Sequence, residues 1–180
     1  MLSITGLSGL SGIIYTFDSP NDISNLLVWL RSDIGVYQDS AGTTPTIYYD
    51  DPVGFWQDQS GNSNHAVQSP DASKPIYKPN FLNNYPAILF DGVDDLLRKS
   101  NLNIGDEFTA FIVFKKVTQT DFGYIINFCT SNNNALQQSG TDGTYQVLGT
   151  SSSNLTNAPS DFWLTSLSFT SHNTRAYING

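Results

Sequence analysis

Two short stretches carry most of the residues that could do chemistry. The first is WQDQSGNSNHA, Trp56 to Ala66, with Asp58, two asparagines and one of the two histidines. The second is FDGVDD, which sets Asp91, Asp94 and Asp95 close together. Hydrolysis of a glycoside with retention takes two carboxyl groups about 5 Å apart across the scissile bond. The chain has a single glutamate, Glu107, with no carboxylate two or four residues further on. Asp94 and Asp95 are adjacent, and in an extended chain adjacent side chains point to opposite faces. Nucleophilic catalysis needs a positioned base. His65 and His172 stand in no recognisable nucleophile context, and Cys129 lies in the apolar run YIINFC as a small hydrophobe. A zinc site would draw on a cluster of Cys and His, which one cysteine and two distant histidines do not supply. The expectation is a chain that is not an enzyme.

Calcium takes oxygens from Asp, Asn and backbone carbonyls, and two groups offer them: Asp58 with Asn62 and Asn64, and Asp91 with Asp94 and Asp95. The same residues serve equally as turn formers, since Asp and Asn side chains bind amides two residues on. No cofactor is required on either reading. A sugar site would need an aromatic face ringed by polar groups. Tyr37, Tyr48 and Tyr49 in a polar loop, and Asn132 and Asn133 in another, are the candidates. Trp29, Trp56 and Trp163 fall in strand-like runs and read as core.

These residues sit on a scaffold whose composition points to strands. Of 180 residues, 39% are hydrophobic and 13% aromatic, while only 13% are charged. Helices draw on Ala, Glu, Lys and Arg, whereas strands favour aromatic and β-branched residues. The length suits one domain. Net charge is −8, and a phosphate backbone is bound by clustered Lys and Arg, so nucleic-acid binding is not expected. No apolar run reaches the length that spans a bilayer, so no membrane insertion is expected. The N-terminus lacks the basic n-region of a secretory signal, which predicts synthesis in the cytoplasm.

Residues 1–12, with the repeat GLSGLSG, read as a flexible or anchoring arm. The domain runs from 13 to 180. IIYTF and LLVWL read as strands around the turn cluster SPNDIS, and VGFWQ as the strand that leads into Asp58. Residues 68–86 carry four prolines and are excluded from a regular central strand. PAILFDG reads as a buried strand. In EFTAFIVFKKV both alternating faces are apolar, which predicts a central strand covered on both sides. FGYIINFCT, TYQVLG, FWLTSLSFT and TRAYING complete the strands, and residues 131–144 read as a polar loop without packing potential. Many short strands and no convincing helix predict an all-β antiparallel sandwich or jelly roll.

LLVWLRSDIGVYQDSAGTTP, VGFWQDQSGNSNHAVQS, KPIY and YPAILFDGVDDLL, in that order, resemble the laminin-G-like jelly-roll domains of the concanavalin A-like lectin/glucanase superfamily. The resemblance is to the type found in phage virions and on bacterial surfaces. It covers about Ser19 to Leu97, and TAFIVFKK and RAYING match its later strands more weakly. The carboxylate motif of the family's glucanases, E-x-D-x-x-E or E-x-D-x-E, is missing. The resemblance therefore implies a structural or adhesion module of a virion, joined to other virion subunits through the N-terminal arm and the C-terminal edge, and contacting host-surface glycans. A free-standing glycan-binding lectin is the first alternative, and an atypical glycoside hydrolase a distant one.

Overall fold

The computed structural model describes residues 19–115, 122–128, 135–139, 145–148, 153–155, 163–169 and 174–178. The Gly/Ser arm, Asn132, Asn133, Cys129 and His172 lie outside the described residues. The chain is all-β. Its strands in order are β1 (Val36–Tyr37), β2 (Phe55–Trp56), β3 (Ala66–Val67), β4 (Ile76–Leu82), β5 (Tyr85–Leu89), β6 (Phe108–Phe114), β7 (Phe122–Asn127), β8 (Ala135–Ser139), β9 (Tyr145–Leu148), β10 (Ser153–Leu155), β11 (Trp163–Phe169) and β12 (Thr174–Ile178). The only helical elements among the described residues are two 3-10 turns, Pro20–Asp22 and Asp71–Ser73. Among the described residues no helix is long and apolar enough to cross a membrane.

The strands form four antiparallel sheets in the orders β1-β2-β3, β4-β5, β12-β11-β6 and β10-β9-β8-β7. The last two share one apolar cluster. Leu136, Tyr145 and Val147 from the four-stranded sheet meet Leu167 and Phe169 from β11, with Phe108, Ala110, Ile112 and Phe114 of β6 packed against them. Ring contacts knit the cluster: Phe108 stacks on Phe169 at 4.7 Å, and Phe128 meets Phe108 edge-on at 4.9 Å. In β11 Leu167 and Phe169 are buried while Ser166 and Ser168 alternate with them, as a half-buried strand requires.

Several expectations are corrected. ALQQS, read as loop, is β8, and Ala135 and Leu136 are buried. Its neighbours β7 and β9 supply the apolar surface that its own composition does not announce. β6 is not covered on both sides: Phe111 and Val113 remain 69% and 66% exposed. Among the described strands it lies at a sheet edge rather than at the centre. LLVWL is not a named strand. It makes single bridges, Leu30 to Asp58 and Arg31 to Ile34, because side chains take over its ladder. The proline-rich region, excluded above from a regular central strand, holds the irregular strand β4. Pro79 falls where the register with β5 shifts, between Lys78 and Leu82, in a sheet of two strands. That is an edge position, where proline is tolerated. The two are joined by Asn83 and Asn84, both left-handed (φ 49 and 66), the geometry of a tight hairpin. β5 is half-buried rather than buried, and Phe90 after it is exposed.

Candidate functional site

The first stretch holds the extended segment that precedes it. Asp58 is 5% exposed. Its Oδ1 accepts from the Trp29 amide at 2.8 Å and the Ser60 amide at 3.0 Å. Its Oδ2 accepts from Ser60 Oγ at 2.7 Å and the Asn64 amide at 2.9 Å. Further along, Asn62 Nδ2 donates to Leu26 O at 2.7 Å and Asn64 Nδ2 to Leu27 O at 2.9 Å. Trp56 Nε1 donates to Arg31 O at 2.6 Å. The motif residues therefore satisfy the backbone of residues 26–31 much as a neighbouring strand would. Ser60 sits two residues after Asp58, the spacing of an Asx turn. Burial acts to raise the Asp58 pKa, but the Trp29, Ser60 and Asn64 hydrogen bonds outweigh it and hold the carboxyl below its ordinary value. His65 Nδ1 accepts from the Asp58 amide at 3.1 Å, and its ring packs on Phe55 at 4.8 Å. It is a packing residue there.

Both Asp58 oxygens already accept two hydrogen bonds each, which fills the acceptor capacity of a carboxylate. Asp58 is thus committed to backbone and hydroxyl donors of its own and the preceding segment. Asp91, Asp94 and Asp95 do converge, each offering an oxygen within 4.8 Å of the others. A turn brings Asp94 and Asp95 together, unlike the extended chain in which they would diverge. The convergence has a local cause. Asp91 Oδ1 accepts from the amides of Val93 at 2.8 Å, Asp94 at 3.3 Å and Asp95 at 3.4 Å, while Asp95 Oδ2 accepts from the Asp91 amide at 2.8 Å. Asp94 Oδ2 accepts from Ser73 Oγ at 3.0 Å. The Val93 amide leads in lowering the Asp91 pKa, while burial, with the charges of Asp91 and Asp94, raises that of Asp95. The loop closes on itself with these atoms.

A separate groove of about 190 Å³ is lined by Ser32, Asp33, Gly35, Val36, Tyr37, Pro45, Thr46 and Tyr77. Its carboxylate, Asp33, is clamped by Arg31, whose Nε and Nη2 donate at 3.0 and 2.6 Å. That guanidinium in turn lies 5.3 Å from the centre of the Trp29 ring. The Arg31 hydrogen bond holds Asp33 below its ordinary pKa, so it stays ionised. Burial and then the Asp33 charge push the Tyr77 phenol up, so it stays protonated and can donate. Tyr37 is fixed edge-on against Phe55 at 5.8 Å. Thr46 Oγ1 donates to Val36 O at 3.1 Å, which pins the groove's rim. Gly35, with φ 72, is left-handed, and a Cβ there would meet the Gln57 side chain at 2.6 Å.

Of the aromatic candidates, the groove takes Tyr37 alone. Tyr48 and Tyr49 are exposed on the neighbouring loop, Tyr49 beneath the Lys78 ammonium at 5.4 Å. Asp33, Thr46 and Tyr77 were missed by sequence reasoning. The signal for Tyr77 was its place in KPIY, one segment of the ordered series above. The groove combines aromatic rings, one ionised carboxylate and hydroxyls. With Asp33 as its single carboxylate among the described residues, it lacks an acid–base pair and suits binding.

Comparison with protein-family models, curated proteins and solved structures returns no match. The likeness to laminin-G-like domains therefore rests on the sequence motifs.

Proposed function

We propose that the chain is a non-catalytic structural and adhesion module of jelly-roll type, carried on a phage virion, which contacts host glycans through the Tyr37–Tyr77 groove. One observation carries the non-catalytic part: the well-placed carboxylates are spent on closing loops. Asp58 and Asp91 do so as described. Asp39 accepts from the amides of Ala41 at 2.9 Å and Thr44 at 2.7 Å, and Asp51 from those of Ile47 and Tyr48, both at 2.8 Å. A carboxylate saturated by amides is a poor general acid or base, because those bonds favour its charged form. The virion setting follows from the motif series and its phage-type resemblance. The glycan part follows from the groove, where an ionised acid can accept sugar hydroxyls and a ring can lie against a sugar face.

The test has three arms: a glycan array with the wild type and Tyr77→Ala, co-purification with particles, and an assay for reducing ends released from β-glucans. Expected are weak binding to one glycan class lost in Tyr77→Ala, fixed stoichiometry in particles, and no released ends. Glycan binding without incorporation into particles would favour a free-standing lectin. Release of reducing ends would overturn the non-catalytic reading.

A further inference from the structure

The outer edge of β6 lacks the interruptions that mark the edges at β7 and β4. β7, at the edge of the four-stranded sheet, is interrupted by a register shift between Tyr124 and Ile126. β4 carries a register shift and Pro79. Bulges and prolines are the usual devices that keep an edge from pairing with another chain. β6 has neither. Its ladder with β11 runs without a shift from Phe108–Phe169 to Phe114–Trp163, and among the described residues β11 is its only partner strand. Its outward face shows Phe111 and Val113, both about two-thirds exposed. The charges next to the strand in sequence stand at its ends, Asp106 and Glu107 before it and Lys115 and Lys116 after it.

The sequence of this edge is self-complementary. In an antiparallel pair centred on Phe111, EFTAFIVFK sets Phe111 opposite Phe111, Ala110 opposite Ile112, Thr109 opposite Val113 and Phe108 opposite Phe114. Glu107 falls opposite Lys115 at both ends. Apolar residues thus meet apolar residues or threonine on each face, and the charges meet their opposites. Shifting the pair by two residues loses the charge match, and shifting it by one exchanges the faces. We propose that two copies of the chain join through the β6 edges in this register, giving one continuous sheet β12-β11-β6-β6-β11-β12 about a twofold axis at Phe111. The interface is isologous, as most homodimers are, and uses strand addition for affinity and the end charges for register. It does not depend on what the groove binds.

The full chain in a Cys129→Ser background is examined by sedimentation velocity and non-reducing electrophoresis, with circular dichroism and thermal melting to verify folding of each variant. Expected are a dimer at high micromolar concentration and a disulfide-linked dimer from Phe111→Cys, because residues facing each other at the axis are close enough to bridge. Val113→Cys alone gives no cross-link, since it faces Thr109, whereas Thr109→Cys with Val113→Cys gives one. Glu107→Lys shifts the protein toward monomer, and adding Lys115→Glu restores the dimer. Several outcomes would overturn the proposal: a monomeric wild type, equal cross-linking at 111 and 113, or a dimer indifferent to the charge reversals. A chain that dimerises only after residues 1–18 are removed would also overturn it, and would assign the edge to that segment instead.

Discussion

The two halves of the chain are held together by different physics. From Ser19 to Ser100 the strands are mostly two residues long, and the buried apolar residues, Val36, Val53 and Ala66, are few. There the chain is fastened by carboxylates and amides that reach across to backbone groups, as Asp58 does to the Trp29 amide. From Phe108 onward the strands are longer, and side chains from two sheets share one aromatic and aliphatic cluster. Among the described residues the first half is organised by directional bonds and the second by burial. Asparagine shapes the turns of this first half: Asn25, Asn80, Asn83 and Asn84, with Asn101 just after it, all hold left-handed backbone. The difference also places the groove, with its fixed polar groups, in the half whose loops are individually pinned.

That contrast predicts unequal responses to single substitutions. The largest loss is expected in the apolar half. Phe169 is 1% exposed and touches the rings of Phe108 and Phe128. Phe169→Ala leaves a cavity and is expected to cost about 3–5 kcal/mol, read as a lower urea midpoint. If the loss stays below about 1 kcal/mol, on the scale of a surface change, the cluster is not the second half's main support.

Next is Asp58→Ala, which strands the Trp29, Ser60 and Asn64 donors. Buried donors left unpaired cost about 1–3 kcal/mol each, and partial relaxation limits the sum to roughly 3 kcal/mol. The same residue makes the first half sensitive to acid. Its pKa lies lower in the folded chain than the ordinary 3.8. The stabilisation it gives is therefore complete above the unfolded value and fades as pH falls through the folded one. Asp39 is lowered too, by the Thr44 and Thr43 amides working against burial. The melting temperature of the wild type should fall as pH drops below about 4, and Asp58→Asn should flatten that fall. An unchanged pH profile in Asp58→Asn would remove the carboxylate from its proposed role.

What the sequence made legible divides along the same line. The turn SPND, capped by Ser19, is written in adjacent residues. So is the Asp58–Ser60 turn, and so is the alternation of Leu167 and Phe169 with serines. Each depends on neighbours within a few positions. Leu136 is buried because Val147 stands opposite it across the ladder and β11 covers it, and nothing local in ALQQS reports that. In β6 the opposite happens. Alternation shows two apolar faces but not whether protein covers the second one. The groove was hidden for a related reason, since Asp33 and Tyr77 are brought together by long-range pairing, of residues 50–53 with 75–77 and of Ser32 with Pro86. The Asn83-Asn84 hairpin was legible and was obscured by the prolines around it.

Gly35→Ala tests how tightly the polar half is built. The residue has φ 72, and its added methyl would meet Gln57 Cβ at 2.6 Å. The left-handed backbone alone costs about 1–2 kcal/mol for an alanine, so a drop of about 2 kcal/mol with a weakened groove is expected. A neutral outcome would mean that the Gln57 N–H to Gly35 O contact at 2.7 Å is not holding the turn.

The smallest effect belongs to the exposed Asp91 loop, and it decides between the two uses of its carboxylates. If they close the turn, Asp91→Ala lowers the melting temperature slightly, equally with calcium and with a chelator. Asp91→Asn keeps an acceptor for the Val93 amide and lowers it less. It also removes one of the charges that raise Asp95. A raised carboxyl pKa gives stability that is complete below the unfolded value and lost as pH rises through the folded one. Asp91→Asn should accordingly reduce that loss. If calcium were the purpose, the wild type alone would gain stability with the ion, and both substitutions would abolish the gain. A carboxylate bonded to three successive amides of its own loop already has the positive partners that a cation would supply, which is why the calcium-independent result is expected.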